Sequence, residues 1–215
     1  MTYLSWAVLY EGESDAAYFD LLLPRMMDDI VLKRGIRHST IPTAPVVRFQ
    51  RQTVEQVAQQ ACDAKDAFHL VFIHADMGGR ALSSGLTGRS GAYCEAMRKL
   101  CGWPLARCIT IEPRHETEVW VLADPGAVTL ALGYSGSPAS VGLPTNAAQA
   151  EQLSDPKATL EQAVRLVRGK RSRFDVKQVF AAIAQRQQFA HLREAPSFSA
   201  FESRLLAALA DIGSI

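Results

Sequence analysis

The chain has 215 residues, a formal net charge of +1, 48% hydrophobic and 21% charged residues, values ordinary for a globular protein. The near-neutral charge argues against a surface coated in basic residues for tight non-specific nucleic-acid binding, though not against a local basic patch. No apolar run approaches the roughly 20 residues of a membrane span. The N-terminus lacks a basic region followed by a long apolar stretch, so no signal peptide is expected.

One domain is the default for this length, and such a chain buries roughly 70% of the surface its unfolded form exposes. It therefore needs neither disulfides nor a structural metal to hold a core. Cys62, Cys94, Cys101 and Cys108 form no Cys-x-x-Cys pair and no zinc spacing, and they read as reduced thiols of a soluble, cytoplasmic protein.

In chain order, residues 3–10 are apolar and β-prone and run into Glu11-Gly12-Glu13-Ser14-Asp15, a strand feeding a turn. Ser14 stands where a helix N-cap would, before Asp15–Leu23, and Pro24 is expected to kink or restart a helix reaching about Arg34. Val46–Phe49 reads as a short strand and residues 53–66 as a helix with Val54, Val57, Ala58 and Ala61 on one face. His69–Ala75 is the clearest strand and ends on Asp76. A glycine-rich loop from Gly78 to Gly91 follows, then a helix around Ala92–Cys101. Arg107–Ile111 is a strand ending at Glu112-Pro113, and Glu116–Leu122 reads as helical. Residues 1–132 thus predict an α/β core with a mostly parallel sheet flanked by helices. Residues 133–156 read as a long loop. Residues 157–215 form an all-helical C-terminal part packed on the core, with helices over about 157–168, 176–186 and 198–210. Trp6 and Trp120 lie in apolar runs and read as core.

Three strands end on acids: Glu11, Asp76 and Glu112. In open α/β sheets the carboxyl ends of parallel strands form the ligand crevice. Carboxylates converging there repel one another unless a cation joins them, and hard divalent ions with oxygen ligands, Mg²⁺ above all, suit such a set. Taken singly, an acid at a strand end is commonly a turn residue or a helix cap, and Asp15 can simply complement a helix dipole. His74 falls on the same side of its strand as Asp76 by period-two alternation. A His-x-Asp pair can bind a softer metal such as Mn²⁺ or Zn²⁺, and a hydrogen-bonded core histidine is the plain alternative. His115, beside Glu116, is a candidate general base. Gly78-Gly79-Arg80 lacks the lysine of a phosphate-binding loop, so nucleotide hydrolysis is not inferred. Arg165, Arg168, Lys170, Arg171 and Arg173 crowd one stretch that reads either as a solvated helix end or as a phosphate-contacting face.

Leu9-Tyr10-Glu11-Gly12-Glu13-Ser14-Asp15, with the helix of Tyr18-Phe19 and Leu22-Leu23-Pro24 after it, resembles the first motif of Toprim (topoisomerase–primase) domains. It is closest to the versions in overcoming-lysogenization-defect (OLD) nucleases and related phage-defence proteins. Phe72-Ile73-His74-Ala75-Asp76 resembles the strand of the second motif. His115–Pro125 looks like the Glu-x-Glu-Ala-Trp-Leu-Leu-Ala-Asp box of the bacterial family catalogued as domain of unknown function 4276. Asp155-Pro156-Lys157 and Ala195-Pro196-Ser197-Phe198 with Phe201 extend the likeness into the tail, so it spans most of the chain.

The resemblance implies a Toprim-like fold and a metal site of Glu11, Asp15, Asp76 and Glu116, with Glu11, Asp76 and Glu116 in catalytic roles. The second motif normally continues Asp-x-Asp, whereas this chain reads Asp76-Met77-Gly78. Glu112, Glu116, Glu118 or Glu13 would have to supply the lost carboxylate. The activity implied is hydrolysis of a phosphodiester with Mg²⁺ or Mn²⁺, with Lys170 or Arg171 neutralising the phosphate. OLD-type relatives carry an ATPase, so a separately encoded ATPase partner is expected, with nucleic acid as the substrate of a nuclease or, from the same metal site with a narrower pocket, a small phosphate ester. The alternative is a catalytically degenerate binding subunit of a larger complex, for which the missing second aspartate speaks.

Overall fold

The strand segments are continuous apolar runs because both of their faces are covered, the pattern of buried parallel sheets. A computed structural model describes residues 2–36, 39–76, 89–169 and 175–215. Strands β2 (Trp6–Leu9), β5 (Leu70–His74) and β6 (Cys108–Ile111) are buried at every position. With β4 (Val47–Arg48) they form a four-stranded sheet, all parallel, in the order β4-β2-β5-β6. A separate parallel pair joins β1 (Thr2–Tyr3) to β3 (Ser39–Thr40). The α/β expectation with a parallel sheet therefore holds.

Alternation along each strand sorts side chains into two cores. Trp6, Val8, Leu70, Phe72, Ile109 and Ile111 face a large core covered by α1 (Glu13–Arg34), α4 (Glu118–Leu122) and the C-terminal helices. Ala7, Leu9, Val71, Ile73 and Cys108 face a smaller one under α2 (Val54–Asp63) and α3 (Arg89–Cys101). The helix α2 carries Val57, Ala58 and Ala61 on its buried face, and Thr53 and Gln56 close a capping box at its start.

Several expectations are corrected. Ser14 does not cap α1. Gly12, in extended conformation at φ −146°, holds the N-cap position without a side-chain bond, which places Ser14 inside the first turn. Pro24 does not restart a helix: α1 runs as one element from Glu13 to Arg34, the end expected for it, with Pro24 on its buried side. Residues 133–156 are not a long loop. After α5 (Pro125–Leu132) they carry a 3₁₀ turn over Pro138–Val141 and the short helix α6 (Ala147–Ala150), begun by Asn146, whose side chain accepts from Gln149 N. Val141, Leu143, Ala147 and Ala150 are buried in the large core, so apolar burial orders a segment whose Gly, Ser and Pro content suggests a loop.

The helical tail comprises α7 (Pro156–Arg168), α8 (Val176–Ala184), α9 (Phe189–Leu192) and α10 (Pro196–Asp211). Its core is the aromatic group Trp120, Phe198 and Phe201, with ring centroids 5.0–5.8 Å apart. The Trp120 indole donates to Ser197 Oγ at 2.7 Å, and buried Glu151 accepts from Ser197 N at 2.8 Å. Gln187 accepts from Tyr18 Oη at 2.6 Å and donates to Trp120 O at 2.7 Å, so one buried amide ties the tail to α1 and α4. Trp6 packs edge-on against Phe72. Both tryptophans are core, as expected.

The cysteines are not reduced thiols in this structure. Cys62 pairs with Cys101 and Cys94 with Cys108, at Cα separations of 5.8 and 5.7 Å, within the disulfide range. The seven-residue spacing that puts Cys94 and Cys101 on one face of α3 turns that face toward α2 and β6, and each neighbour supplies one partner.

Candidate metal centre

The register brings the strand ends to one level, with Leu9 opposite Ile73 and His74 opposite Ile111. The residues just beyond these pairs, Glu11, Ala75-Asp76 and Glu112, therefore share the carboxyl edge of the sheet. Alternation then divides them.

His74 points with Phe72 into the large core, where its ring lies 5.0 Å from that of Phe19, and its side chain is fully buried. Its Nε2 stands 3.2 Å from Asp76 Oδ1 and 3.2 Å from Thr117 Oγ1, and its Nδ1 stands 3.7 Å from Asp15 Oδ2. Thr117 donates its hydroxyl proton to Asp15 Oδ1 at 2.6 Å, so the same oxygen is left to accept from Nε2–H, which fixes that tautomer. Asp15 itself is buried in the first turn of α1. Glu11 accepts from Asp76 N at 3.4 Å and pairs with Arg51 at 3.4 Å. Glu116 lies just before α4 and accepts from Lys157 N at 3.0 Å, at the start of α7. Glu118 follows in the first turn of α4, buried.

The electrostatics mark this as one unit. Burial pushes the Glu118 carboxyl up to about 7, and the negative charges of Glu116, Asp15 and Asp76 add to the rise. Glu116 is raised as well, first by burial; the backbone bond from Lys157 opposes this, and Asp76 adds to it. Burial alone would lower the His74 imidazole, yet the adjoining Asp76 carboxylate with the charges of Asp15 and Glu11 raise it. Two buried atoms in the group, His74 Nδ1 and Asp76 Oδ1, have no hydrogen-bond partner among the described residues.

A divalent cation fits this donor set in chemistry: carboxylates from α1, β5 and the α4 entry surround an imidazole nitrogen and a carboxylate oxygen that lack bonds. Among the described residues, no three His, Cys, Asp or Glu side chains stand in positions that would already hold one ion. Ligation by Asp15, Asp76 and Glu116 thus requires the His74 and Thr117 contacts to rearrange.

Other candidates fall away from the cluster. Glu112 points to the opposite sheet face, accepts from Ser90 Oγ of α3, and lies 3.5 Å from Arg204, which also donates to Thr110 O at 3.0 Å. It is therefore a buried anchor of the edge strand and not a replacement for the second aspartate. Glu13 is exposed and pairs with Lys177 of α8. His115 is half-buried, and no hydrogen bond or ion pair joins it to the cluster among the described residues. Lys170, Arg171 and Arg173, with residues 77–88 of the glycine-rich loop, lie outside the described residues, while Arg165 pairs with Glu161 on the exposed face of α7. Thr117 was not a sequence candidate. Its only signal is its place between Glu116 and Glu118.

The raised carboxyl and imidazole pKa values give a pH prediction for the metal-free protein. Between about pH 4.5 and 7 the folded state holds the Glu118 proton that the unfolded chain has released, so stability falls as pH rises through this window and levels off above it. The His74 contribution is full below its ordinary value and is lost as pH rises through its raised one, in the same sense. At about 1.4 kcal/mol per unit, discounted for partial solvent access, Glu118 should contribute roughly 2 kcal/mol. Denaturant titrations in chelator should therefore show the protein less stable at about pH 8 than at about pH 5. Glu118→Gln should remove most of the difference. A flat profile in the wild type would contradict this electrostatic picture.

Compared with protein-family models, curated proteins and solved structures, the chain matches none.

Proposed function

We propose that the protein is a divalent-metal-dependent phosphodiester hydrolase, a Toprim-like nuclease or nuclease-like effector subunit. The observation that carries the reading is the group formed by Glu11, Asp15, Asp76, Glu116 and Glu118 around buried His74 at the carboxyl edge of a parallel sheet. Asp15, Asp76 and Glu116 would hold Mg²⁺ or Mn²⁺, with Glu11 beside them. When bound, the ion would lower the pKa of a water and neutralise charge on the phosphate. Thr117 fixes the orientation of Asp15, and His74 Nε2 lies 3.2 Å from Asp76 Oδ1. Glu118, whose carboxyl stands at about 7 in the metal-free protein, is the carboxyl placed to hold a proton and give it to a leaving oxygen. A separately encoded ATPase remains the partner that the OLD-like resemblance suggests.

A second reading rests on a specific contact. His74 sits between Asp15 and Asp76, and in protonated form it supplies a built-in positive charge where the metal would go. On that reading the chain is a degenerate binding subunit whose carboxylates are already neutralised.

Hydrolysis assays separate the two. Single- and double-stranded DNA and RNA, incubated with Mg²⁺ or Mn²⁺, should be cleaved by the wild type, and Asp76→Asn or Glu11→Gln should reduce the rate on the order of 100-fold or more. Absence of cleavage with either ion on all four substrates would leave the degenerate subunit standing.

A further inference from the structure

A cavity of about 340 Å³ adjoins the cluster at the carboxyl edge of the sheet, lined by Tyr10, Glu11, Arg51, Gln52, His74 and Tyr93 among others. Glu11 and His74 belong both to its wall and to the carboxylate group, and Glu11 accepts from Asp76 N and pairs with Arg51. The cavity therefore opens within reach of the proposed reaction centre. A larger cleft of about 710 Å³ near the end of α1, lined by Arg25, Leu32, Ile36 and Phe189, touches none of the cluster.

The walls have distinct chemistries. Among the described lining residues Arg51 is the exposed cation. Its side chain is 58% exposed and its guanidinium can turn from Glu11 toward an incoming phosphate, for which the planar fork is suited. Tyr10 has little to offer a ligand: its hydroxyl donates to Asp20 at 3.2 Å, Phe19 stacks on its ring, and the Arg48 guanidinium lies 5.9 Å from the ring centre. Among the described residues no other ring packs against Tyr93, so it is the aromatic surface available for stacking, above the apolar floor of Leu9 and Ala92. Gln52 accepts from Gln60 Nε2 at 2.9 Å, which leaves its own amide N–H groups for an acceptor at the edge of a planar ligand. The volume lies at the low end for small-molecule sites, enough for one nucleotide unit and too little for a duplex.

We propose that this cavity binds a single nucleoside phosphate, with the phosphate at Arg51, the base against Tyr93 and the base edge at Gln52. The occupant is either the terminal unit of a single strand or a free mononucleotide. Only its connection to cleavage rests on the hydrolase reading.

The test is calorimetric titration of the four ribonucleoside 5′-monophosphates, and of a short single-stranded oligonucleotide, into the full chain in chelator, where no metal chemistry contributes. The expected result is saturable nucleotide binding. Arg51→Gln should weaken it at least about tenfold and Tyr93→Ala by a similar factor, with Tyr93→Phe retaining it. Unchanged melting of Arg51→Gln shows that the loss is local. Tighter binding of the oligonucleotide than of any mononucleotide identifies a strand end as the occupant, and equal or weaker binding identifies the free nucleotide. No saturable binding, or binding indifferent to Arg51→Gln, overturns the proposal. Binding with these sensitivities in a protein that cleaves nothing leaves the cavity standing and removes the hydrolase. Cleavage indifferent to Arg51 and Tyr93 does the reverse.

Discussion

Adding a dithiol reductant should lower the unfolding free energy by about 5 kcal/mol and the melting temperature by roughly 10–20 °C. The sequence separations of the two pairs are 39 and 14 residues, for which loop closure predicts roughly 4 and 3 kcal/mol taken singly. The loops overlap over residues 94–101, so the joint effect is smaller than the sum. The bonds bind α3 to α2 at one end and to β6 on its flank, which makes α3 the element most dependent on them. Because α2 begins beside Gln52 and α3 carries Tyr93, the same bonds brace the walls of the nucleotide cavity. Scanning calorimetry with and without reductant checks this, with Cys62→Ser and Cys94→Ser separating the two bonds. A melting temperature indifferent to reductant and to both substitutions would show that the thiols stay reduced in solution.

Replacing His74 by leucine should destabilise the metal-free protein by about 3 kcal/mol at neutral pH. The residue sits fully buried between Asp15 and Asp76, and its removal leaves the two carboxylates without the positive charge they share, although Asp15 keeps its bond from Thr117. The lost ring also leaves Phe19 with a cavity beside it. The electrostatic part of the loss should shrink on adding Mn²⁺, whose charge would stand in for that of the imidazolium. His74→Leu as stable as the wild type in chelator would mean that the Asp15–His74–Asp76 arrangement does not carry the electrostatics assigned to it.

Much of the fold is legible in the residues themselves. The short, mostly apolar and β-prone runs at 6–9, 70–74 and 108–111 read as strands covered on both faces, and the starts of the tail helices fit the aspartates at 155 and 175 and the prolines at 156 and 196. What misleads is local composition. The Gly-, Ser- and Pro-rich segment 133–156 is ordered by burial of Val141 and Leu143, a tertiary effect with no short-range signature. The cysteines are joined because α3 presents two of them to different neighbours, which no spacing rule reveals.

The candidate site divides along the same line. Glu11, Asp15 and Asp76 could be read from their places after strands, and His74 from alternation. Glu112 sits at the same level of the sheet but one residue out of phase with Asp76, so it faces α3 and not the cluster. Thr117 and Arg51 are brought in by packing between elements far apart in the chain. Glu118 shows its importance only when its burial and its neighbours are known.

The most direct test of the metal centre is calorimetric titration of Mn²⁺ and Mg²⁺ into the wild type, Asp15→Asn and Asp76→Asn, each alone and with a non-hydrolysable oligonucleotide whose phosphate can complete the site. Saturable binding by the wild type that is lost in both variants, with the variants still folded, is the expected result. No binding of either ion by the wild type in either condition would contradict the account and leave His74 as the cation that Asp15 and Asp76 share among the described residues.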